Sequence, residues 1–424
     1  MLYVLELMGS LMTCIQIKEP FKMENQIKAS LNMIRAAGTY EKSITLGEEV
    51  NAFVPFVLPP STPSIDPQSY VELNRKAEMA LARLSGVSGL VPSVDWLLYS
   101  AIRKEALLTS QIEGTQATIT DLFDEEAGLD VSNTDDVEEV TNYIAAYKLV
   151  RENLRDPKGL PISVRLMCEA HKLLLNGVRG TGKQPGDLRR SQNWIGGTRP
   201  GNAVFVPPPA EKVSGLLSDL EKFIHDRSVG RPAVQGEEGT LPALVVIALV
   251  HAQFETIHPF LDGNGRIGRL LISALFEDMG VLPEPLMYVS GYLKQHQVEY
   301  YRLLSGVRKN GDWESWIAFF LEGVCVAATD AEKSIVQIAT LVAADRRKLL
   351  ESPKVNAAAY RLFELLPMMP RFTVERVRKV LETTFPTANA AVKTLEELGL
   401  IGETTGNKKN RSFSYSAYIT LLSQ

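Results

Sequence analysis

Apolar residues recur at helical spacing along most of the chain, which predicts a mainly α-helical protein. Between Pro67 and Gly114 this spacing is interrupted only at residues 86–92, where glycine and proline separate two helices. Ser163 stands just before another periodic run and is a candidate N-cap. Further helices are predicted at 135–153, 163–175, 210–227, 241–257, 267–279, 298–308 and 313–341.

Two stretches lack the helical spacing. Residues 51–68 contain five prolines, which predicts an extended arm because proline fixes φ and lacks an N–H donor. Residues 176–209 are rich in Gly, Pro and Asn and contain two β-leaning pieces, 193–195 and 203–206. These pieces predict a β-hairpin or flap, at about residues 186–209, between the helices on either side.

The last segment, from residue 353, changes character. Three short helices are predicted at 354–366, 373–383 and 387–398, followed by Gly399 and a basic tip at residues 407–411. Three helices ending in a basic hairpin resemble a winged helix. Ten basic and six acidic residues give this segment a charge of +4, which leaves −9 on the rest of the chain. The segment is therefore predicted to be a small α+β domain.

Length and composition narrow the class of protein. The 424 residues suggest more than one domain, and the net charge of −5 argues against a protein that coats nucleic acid broadly. Three cysteines without a CxxC pair imply no disulfide framework and no zinc site, which is typical of the cytoplasm. Residues 1–22 lack the basic start of an export signal, and the apolar run at 241–250 is shorter than the roughly 20 residues of a membrane span. We therefore expect a cytoplasmic protein with a loose N-terminal extension and no membrane contact.

The run from His258 to Arg269 brings together the residue types of a phosphate site. His258 precedes a proline, so it ends its helix, and its imidazole can accept a proton near neutral pH. Asp262 suits Mg²⁺ shared with phosphates, and the turn at residues 263–265 can aim backbone N–H groups at an anion. Arg266 and Arg269 lie on one helix face. The alternatives are a capping histidine, a turn-forming aspartate and a solvated helix face.

Two glycine patterns in the chain are coincidental matches to nucleotide motifs. Residues 263–268 match G-x-G-x-x-G, the dinucleotide-binding motif, which requires a strand immediately before it. Here the preceding residues are not a strand and the surroundings are helical. Residues 177–183 match most of a P-loop, but Gln184 has no hydroxyl for magnesium. Neither hydride transfer nor P-loop chemistry is therefore expected.

The run also resembles the signature of the Fic family, H-P-F-x-D/E-G-N-G-R-x-x-R, with every position filled. The resemblance extends from near residue 55 to at least residue 321. It implies a mainly helical fold with a β-hairpin flap that transfers AMP from ATP to a Tyr, Thr or Ser hydroxyl of a target protein. The implied organisation is an N-terminal extension at 1–45, a helical region at 46–155, a catalytic domain at 156–345 and a winged helix at 353–424.

The resemblance also implies a role for each motif residue. His258 would deprotonate the target, Asp262 would hold Mg²⁺, and Phe260 would pack the loop into the core. Doc-type relatives, which transfer the γ phosphate, carry Lys at the position of Gly265, so Gly265 favours AMP transfer. Nucleotide-binding roles fall on Gly263, Asn264, Gly265, Arg266, Gly268, Arg269 and, with core packing as the alternative, Tyr300; the flap residues Asn193, Trp194, Ile195, Val204, Phe205 and Val206 would hold the target as an added strand.

Residues 109–114 fit the inhibitory pattern of the family, S/T-x-x-x-E-G/N. Glu113 stands before Gly114, a predicted helix C-cap, where the helix dipole disfavours a carboxylate unless a cation compensates. Arg269 could be that cation. The pair would then occupy the partner of the γ phosphate and hold the enzyme in an inactive state. The alternative is an exposed glutamate at a helix end.

Two other functions stay open at this point. A DNA-binding regulator that senses nucleotide is suggested by the basic segment 353–424, which could equally contact protein. A phosphodiesterase that removes AMP could use the same site, with Glu113 orienting water. Partners would be a target protein, the chain itself as a substrate, and a second copy in a homodimer.

Overall fold

Helices form most of the structure, a computed structural model that describes residues 35–177, 182–226, 241–407 and 409–423. No helix in these ranges is long and apolar enough to cross a membrane. The helices are α1 (Val71–Val87), α2 (Val94–Ile112), α3 (Ile119–Glu126), α4 (Thr134–Arg155), α5 (Val164–Leu174), α6 (Ala210–His225), α7 (Ala243–Ile257), α8 (Asn264–Asp278), α9 (Ser290–Gln295), α10 (Gln297–Asn310), α11 (Trp313–Glu351), α12 (Ala357–Leu365), α13 (Val374–Val380), α14 (Phe385–Glu397) and α15 (Ser416–Ser423).

Helix α7 lies at the centre of the core. Its first two turns, residues 243–250, are apolar on every side, and every residue after Ala243 is buried, as expected of a helix enclosed on all sides. Helices α6, α8, α10 and α11 pack around it. The indole Nε1 of Trp316 on α11 donates to the carbonyl of Ala248 at 2.8 Å, which fixes these two helices against each other.

Helix α11 is longer than the sequence pattern predicts. We expected it to end near residue 341, shortly before the polar run 345–348, but it continues to residue 351. At about 1.5 Å per residue it is roughly 58 Å long. Val342 and Leu349 in its last turns are buried, so one side of the polar run packs inside the protein. The helix thereby connects the central core to the C-terminal segment.

An N-terminal β-hairpin crosses the predicted boundary at residue 45. Strands β1 (Gly38–Thr45) and β2 (Glu48–Pro55) pair antiparallel through all eight residues, with Leu46 and Gly47 in the turn at positive φ. Both adopt φ > 0, as two-residue hairpin turns require. The predicted loose extension therefore ends before Gly38, and the predicted arm at 51–68 begins as a strand. The alternation of apolar Val50 and Ala52 with Asn51 is the sequence signal for this strand, and both apolar residues are buried in the structure.

The predicted flap forms a hairpin with a single bridge. Ile195 and Phe205 are bridged antiparallel, but the segment contains no continuous ladder. Gly196 and Gly197 both have positive φ, and the three prolines at 207–209 cannot donate to a sheet. In place of a further strand of its own, the flap has a backbone hydrogen bond to the N-terminal hairpin: Phe53 N–H donates to the carbonyl of Val206 at 2.9 Å.

The C-terminal segment alternates helices and short strands. After α12 come β3 (Arg371–Thr373), α13, α14, β4 (Gly402–Glu403), β5 (Ser412–Ser414) and α15, and the strands pair in the order β3–β5–β4. The three predicted helices are present, with ends shifted by up to three residues. Strand β3 and helix α15 were not predicted because each is short. The segment belongs to the same structural unit as the rest of residues 36–424.

Tyr415 links this segment to α11, and its loss should weaken the whole fold. The hydroxyl donates to Oδ2 of the buried Asp345 at 2.8 Å. We expect Tyr415→Phe to lower the free energy of unfolding by about 1–2 kcal/mol, because a hydrogen bond to a carboxylate is lost. Tyr360→Phe, at a surface position, is the matched control in a thermal unfolding experiment. Equal midpoints for the two variants would refute the role of this contact.

Candidate functional site

A strained turn joins α7 to α8 and forms the centre of the site. His258 is the C-cap of α7 with φ 49° and ψ 62°, in the left-handed region that costs energy for any residue except glycine. The next residue, Pro259, has no N–H and cannot continue the helix. Gly263, at φ 75°, is the N-cap of α8. Residues 258–263 therefore form a short loop between the end of one buried helix and the start of another.

Asn264 holds this loop from inside. Its side-chain carbonyl accepts from Phe260 N–H at 2.8 Å, and its amide donates to the Phe260 carbonyl, also at 2.8 Å. Asn264 is 2% exposed and Phe260 is fully buried. The side chain of Asn264, predicted to bind phosphate, is thus committed to the loop in this structure. What remains available to an anion at this helix start is the backbone N–H groups.

His171 of α5 supports the loop from below and was not predicted. Its ring stacks on Phe260 with centroids 3.8 Å apart. Nδ1 accepts from Gly186 N–H at 2.9 Å, so the proton lies on Nε2, which donates to the Asp262 carbonyl at 3.0 Å. Burial lowers the pKa of His171 to about 4, which keeps this tautomer neutral. The sequence signal that could have revealed this residue is a histidine on the apolar face of a predicted helix.

Two arginines, the buried Arg189 and the partly buried Arg308, satisfy the carbonyls at the end of α7. Arg189 donates to the carbonyls of His258 at 2.9 Å and Ile257 at 3.3 Å. Arg308 donates to Thr256 Oγ1 and to the Glu255 carbonyl, with its guanidinium over the Phe205 ring. Cations are favourable at this negative end of a helix. Burial first, then Arg308 and Arg189, lower the pKa of His258 to about 3, so its imidazole is neutral and able to accept a proton.

Arg269 and Glu113 form a contact between α8 and the end of α2. Arg269 Nη2 lies 2.5 Å from Glu113 Oε1, and its Nε donates to Thr109 Oγ1 at 2.6 Å. Arg269 is 1% exposed, whereas about a third of the Glu113 side chain is open. Although burial alone would lower it, Glu113 holds the pKa of Arg269 above its ordinary value. Glu113 itself is the C-cap of α2, one residue before the Gly114 predicted for that role, and Arg269 is the cation that compensates its carboxylate.

Gly265 makes this contact possible. A Cβ at position 265 would lie 2.4 Å from Glu113 Oε1 and 2.9 Å from Arg269 Nη1. No side chain fits at that separation without moving the carboxylate or the guanidinium. The sequence explained Gly265 by room for a phosphate. In this structure the same room is taken by the glutamate.

Arg266 has carboxylate neighbours on two elements. Its Nη1 lies 3.5 Å from Glu139 Oε2 on α4, and its Nη2 lies 3.8 Å from Asp262 Oδ1. Glu139 also accepts from Thr115 Oγ1 at 3.1 Å, just after the end of α2. Thr115 and Glu139 therefore connect the segment that bears Glu113 to a second motif arginine. Glu139 was not predicted, because nothing in its spacing distinguishes it from a surface glutamate.

Gly268 and Tyr300 have packing roles here. A Cβ on Gly268 would approach Glu255 Oε1 to 2.4 Å, so this position lets α8 lie close to α7. Tyr300 is 1% exposed, and its hydroxyl is hydrogen-bonded to His251 Nε2 at 2.9 Å. His251 in turn donates from Nδ1 to the Gly268 carbonyl at 3.1 Å. This geometry favours core packing, the alternative weighed for Tyr300. Burial raises the pKa of Glu255 to about 7.

The flap lies against the same loop. Asn193 donates from its side-chain amide to the Phe260 carbonyl at 3.1 Å. Trp194 packs, partly buried, with Val50, Ala52 and Val206 at the joint with the N-terminal hairpin. Val204 is 71% exposed. The predicted flap residues are thus divided between anchoring the segment, as Asn193 and Trp194 do, and facing solvent, as Val204 does.

Two family models match this part of the chain. Residues 71–152 match the Fic/DOC family N-terminal model. Residues 161–276 match the Fic/DOC family model, and this match includes the whole loop and all but the last two residues of α8. The chain belongs to the Fic/DOC family. Residues 227–240, inside the second match, lie outside the described structure.

Curated Fic relatives match half of the chain. The "Protein adenylyltransferase Fic" of Aedes aegypti is 26% identical, and that of Drosophila melanogaster is 25% identical, each over 214 residues. These matches cover 50% of this chain but only 38% of each relative's own length. The crystal structure of a Fic family protein from Desulfovibrio desulfuricans G20, 21% identical, covers 83% of this chain and 96% of that chain with a TM-score of 0.52. This last likeness concerns the fold alone.

The neutral state of His258 in this Fic protein is open to direct measurement. Since the pKa of a histidine lies near 6.5 in an unfolded chain and His258 is held at about 3, its ring should show no titration between pH about 5 and 8. The measurement is the Cε1–H resonance by NMR, assigned from its loss in His258→Asn. A titration midpoint near 6.5 would contradict burial, reinforced by Arg308 and Arg189, as the cause of the lowered pKa of His258.

Proposed function

We propose that this protein transfers AMP from ATP to a hydroxyl of a target protein and is held inactive by Glu113. The observation that carries the proposal is the position of a neutral His258 beside the N-terminal end of α8. The names of the curated relatives support the same reaction class. Only the chemistry of the target, a hydroxyl group on a protein, belongs to this proposal. The target protein and any activator do not.

The reaction follows from the residues that line the loop. A ring nitrogen of His258 accepts the proton of the target hydroxyl, and the oxygen attacks the α phosphorus of ATP. The bond from that phosphorus to the bridging oxygen breaks, and pyrophosphate leaves. The N–H groups of residues 264–266 in the first turn of α8 have no intrahelical partners, so they can bind phosphate oxygens with the helix dipole in their favour. Arg266 and Arg269 neutralise charge.

Asp262 fits a magnesium site completed by phosphates. About 44% of its side chain is exposed, although Oδ1 accepts from Gly263 N–H at 2.6 Å. Mg²⁺ typically takes one or two protein carboxylates and fills its other positions with water and phosphate oxygens. No group of three or more metal-type side chains exists among the described residues, which agrees with such sparse protein ligation. The ion would neutralise phosphate charge.

The contact between Arg269 and Glu113 supports the inhibited state. Arg269 is buried and has the Glu113 carboxylate and both oxygens of Thr109 as partners. The carboxylate and a γ phosphate compete for the same guanidinium. ATP that cannot reach Arg269 binds with its phosphates displaced, so the α phosphorus is not in line with the target oxygen.

Glu113→Gly should release the enzyme. We expect label from α-labelled ATP to enter protein, including the enzyme itself, roughly tenfold faster or more, because a buried cation regains its phosphate partner. Glu113→Gln keeps the shape and removes the charge, and it should activate partly. Glu152→Gly, at an exposed position near the end of α4, is the matched control and should behave like the unaltered enzyme. Equal labelling by all of these would refute the brake.

His258→Ala in the Glu113→Gly background should abolish transfer. General-base catalysis typically contributes about 10²–10⁴-fold, so labelling should fall by that factor. Retained labelling would refute the assignment of the base. The phosphodiesterase alternative predicts instead that free AMP leaves a modified target in the presence of Mg²⁺ without ATP, and this release can be measured in the same reactions.

We also infer that residues 353–424 are a winged helix. The order helix–strand–helix–helix–strand–strand, with β3 and β4 on either side of β5, supports it. Helices α13 and α14 are separated by four residues, the usual turn of a helix-turn-helix unit. In that arrangement α14 is the helix that would enter a major groove, and the chain between β4 and β5 is the wing.

A further inference from the structure

An open cleft lies between the C-terminal segment and the helix that follows Glu113 in the chain. Its volume is about 970 Å³. One wall is formed by α3 and the loop after it, including Asp124 and Asp130. The other wall is formed by β3, the start of α14 and the wing, including Arg371, Phe385 and Arg411. No residue of the catalytic loop lines this cleft.

The two walls carry opposite charge. Residues 119–130, here called the acidic segment, contain five acidic residues and no lysine or arginine. The facing wall carries Arg371, Lys409 and Arg411 against one acidic residue, Glu375. Arg371 Nε lies 2.5 Å from Asp124 Oδ1, with both side chains mostly buried. The acidic segment therefore already occupies part of the basic surface as a negatively charged partner.

The basic wall has the features of a surface for a nucleic-acid duplex. Phe385 is half exposed at the N-terminal end of α14, and Asn389 lies one turn further along the same wall. The N-terminal residues of the second helix in a helix-turn-helix unit are those that contact base edges. Lys409 and Arg411 of the wing are within the same wall, where cations bind phosphates.

The acidic segment is tied directly to the helix that ends at Glu113. Glu126 accepts from Arg103 Nη2 at 2.6 Å and from Arg103 Nε at 2.8 Å, and it also accepts from the Tyr99 hydroxyl. Both donors belong to α2. Helix α2 also packs on the turn at residues 366–368 of the C-terminal segment. A displacement of the acidic segment therefore acts on α2 through a charged contact.

We propose that this cleft binds the phosphate backbone of duplex DNA in competition with the acidic segment, and that this binding frees Arg269 from Glu113. The second half rests on the proposed function. The chemistry is an exchange of anions on one basic surface. Phosphates replace Asp124 on Arg371, the acidic segment moves away, and α2 loses the contacts that hold Glu113 in place. Linkage makes the coupling reciprocal, so release of Glu113 also strengthens DNA binding.

Fluorescence anisotropy of a labelled random-sequence duplex with the full chain tests the cleft. Asp124→Asn/Asp130→Asn should bind at least about fivefold more tightly than the unaltered chain, because the competing charge is gone. Asp130→Asn alone, at an exposed position, should shift binding in the same direction without disturbing the Arg371 contact. Lys409→Glu/Arg411→Glu should abolish binding, and Lys148→Glu/Lys158→Glu, with the same change of net charge, should not.

Equal duplex affinity for the unaltered chain and Asp124→Asn/Asp130→Asn would overturn the proposal, as would binding that survives reversal of the wing charges. Polyglutamate of matched charge is the test for an acidic protein partner. If it displaces the labelled duplex as effectively as unlabelled duplex does, the occupant is an acidic polypeptide and the assignment to DNA is wrong.

Label transfer from α-labelled ATP tests the connection to the brake. Duplex should raise labelling by the unaltered chain about fivefold or more, leave Lys409→Glu/Arg411→Glu unchanged, and add nothing to Glu113→Gly. The same Glu113→Gly variant should also bind duplex more tightly than the unaltered chain. Binding without stimulation would overturn the coupling. A Glu113→Gly variant that transfers no label would refute the proposed function, while the anisotropy result would still decide the cleft.

Discussion

The buried C-terminal end of α7 is the constraint on which the site depends. A helix enclosed on all sides ends with carbonyl groups that neither water nor the helix can satisfy, and unpaired buried carbonyls cost free energy. Arg189 and Arg308 supply the missing donors from two other elements. The same two cations, together with burial, keep the imidazole of His258 uncharged. The arginines that pair the buried carbonyls of α7 therefore also help to keep His258 in the neutral form that can accept a proton.

The second half of the site is a single buried cation and its anionic partner. Arg269 lies at the start of α8 with almost no exposure, so it needs an anionic partner. In this structure the partner is Glu113, a carboxylate at the unfavourable end of α2. Each group compensates the other, and the missing side chain at Gly265 gives the carboxylate room. Because the oxygens of Thr109 also bind Arg269, the position of α2 as a whole decides which anion the arginine has.

Helix α2 is itself held by distant parts of the chain. Its middle turns contact α3 through Arg103 and Glu126, and α3 contacts the C-terminal segment through Asp124 and Arg371. Beyond its end, Thr115 reaches Arg266 through Glu139. A short series of charged contacts therefore runs from the C-terminal segment to the loop that bears His258. Through these contacts, a change in the C-terminal segment can act on the position of α2 and therefore on Glu113.

The sequence by itself determined the helical class, most helix positions, the family and the motif residues, because apolar periodicity and the spacing of His258, Asp262 and Arg269 are local properties. It also predicted the pairing of Glu113 with Arg269, since a carboxylate at the negative end of a helix dipole needs a cation. Only the tertiary structure decided the rest. His171, Arg189, Arg308 and Glu139 act through partners far away in sequence, and no local pattern marks them. Structural contacts also occupy three predicted nucleotide-binding residues. Asn264 hydrogen-bonds within the loop, Gly268 lets α8 pack close to α7, and Tyr300 hydrogen-bonds to His251. These contacts depend on buried neighbours that only the fold brings together. The β1–β2 hairpin docks on the flap through Phe53 and Val206, a pairing that depends on how the surrounding helices place both segments.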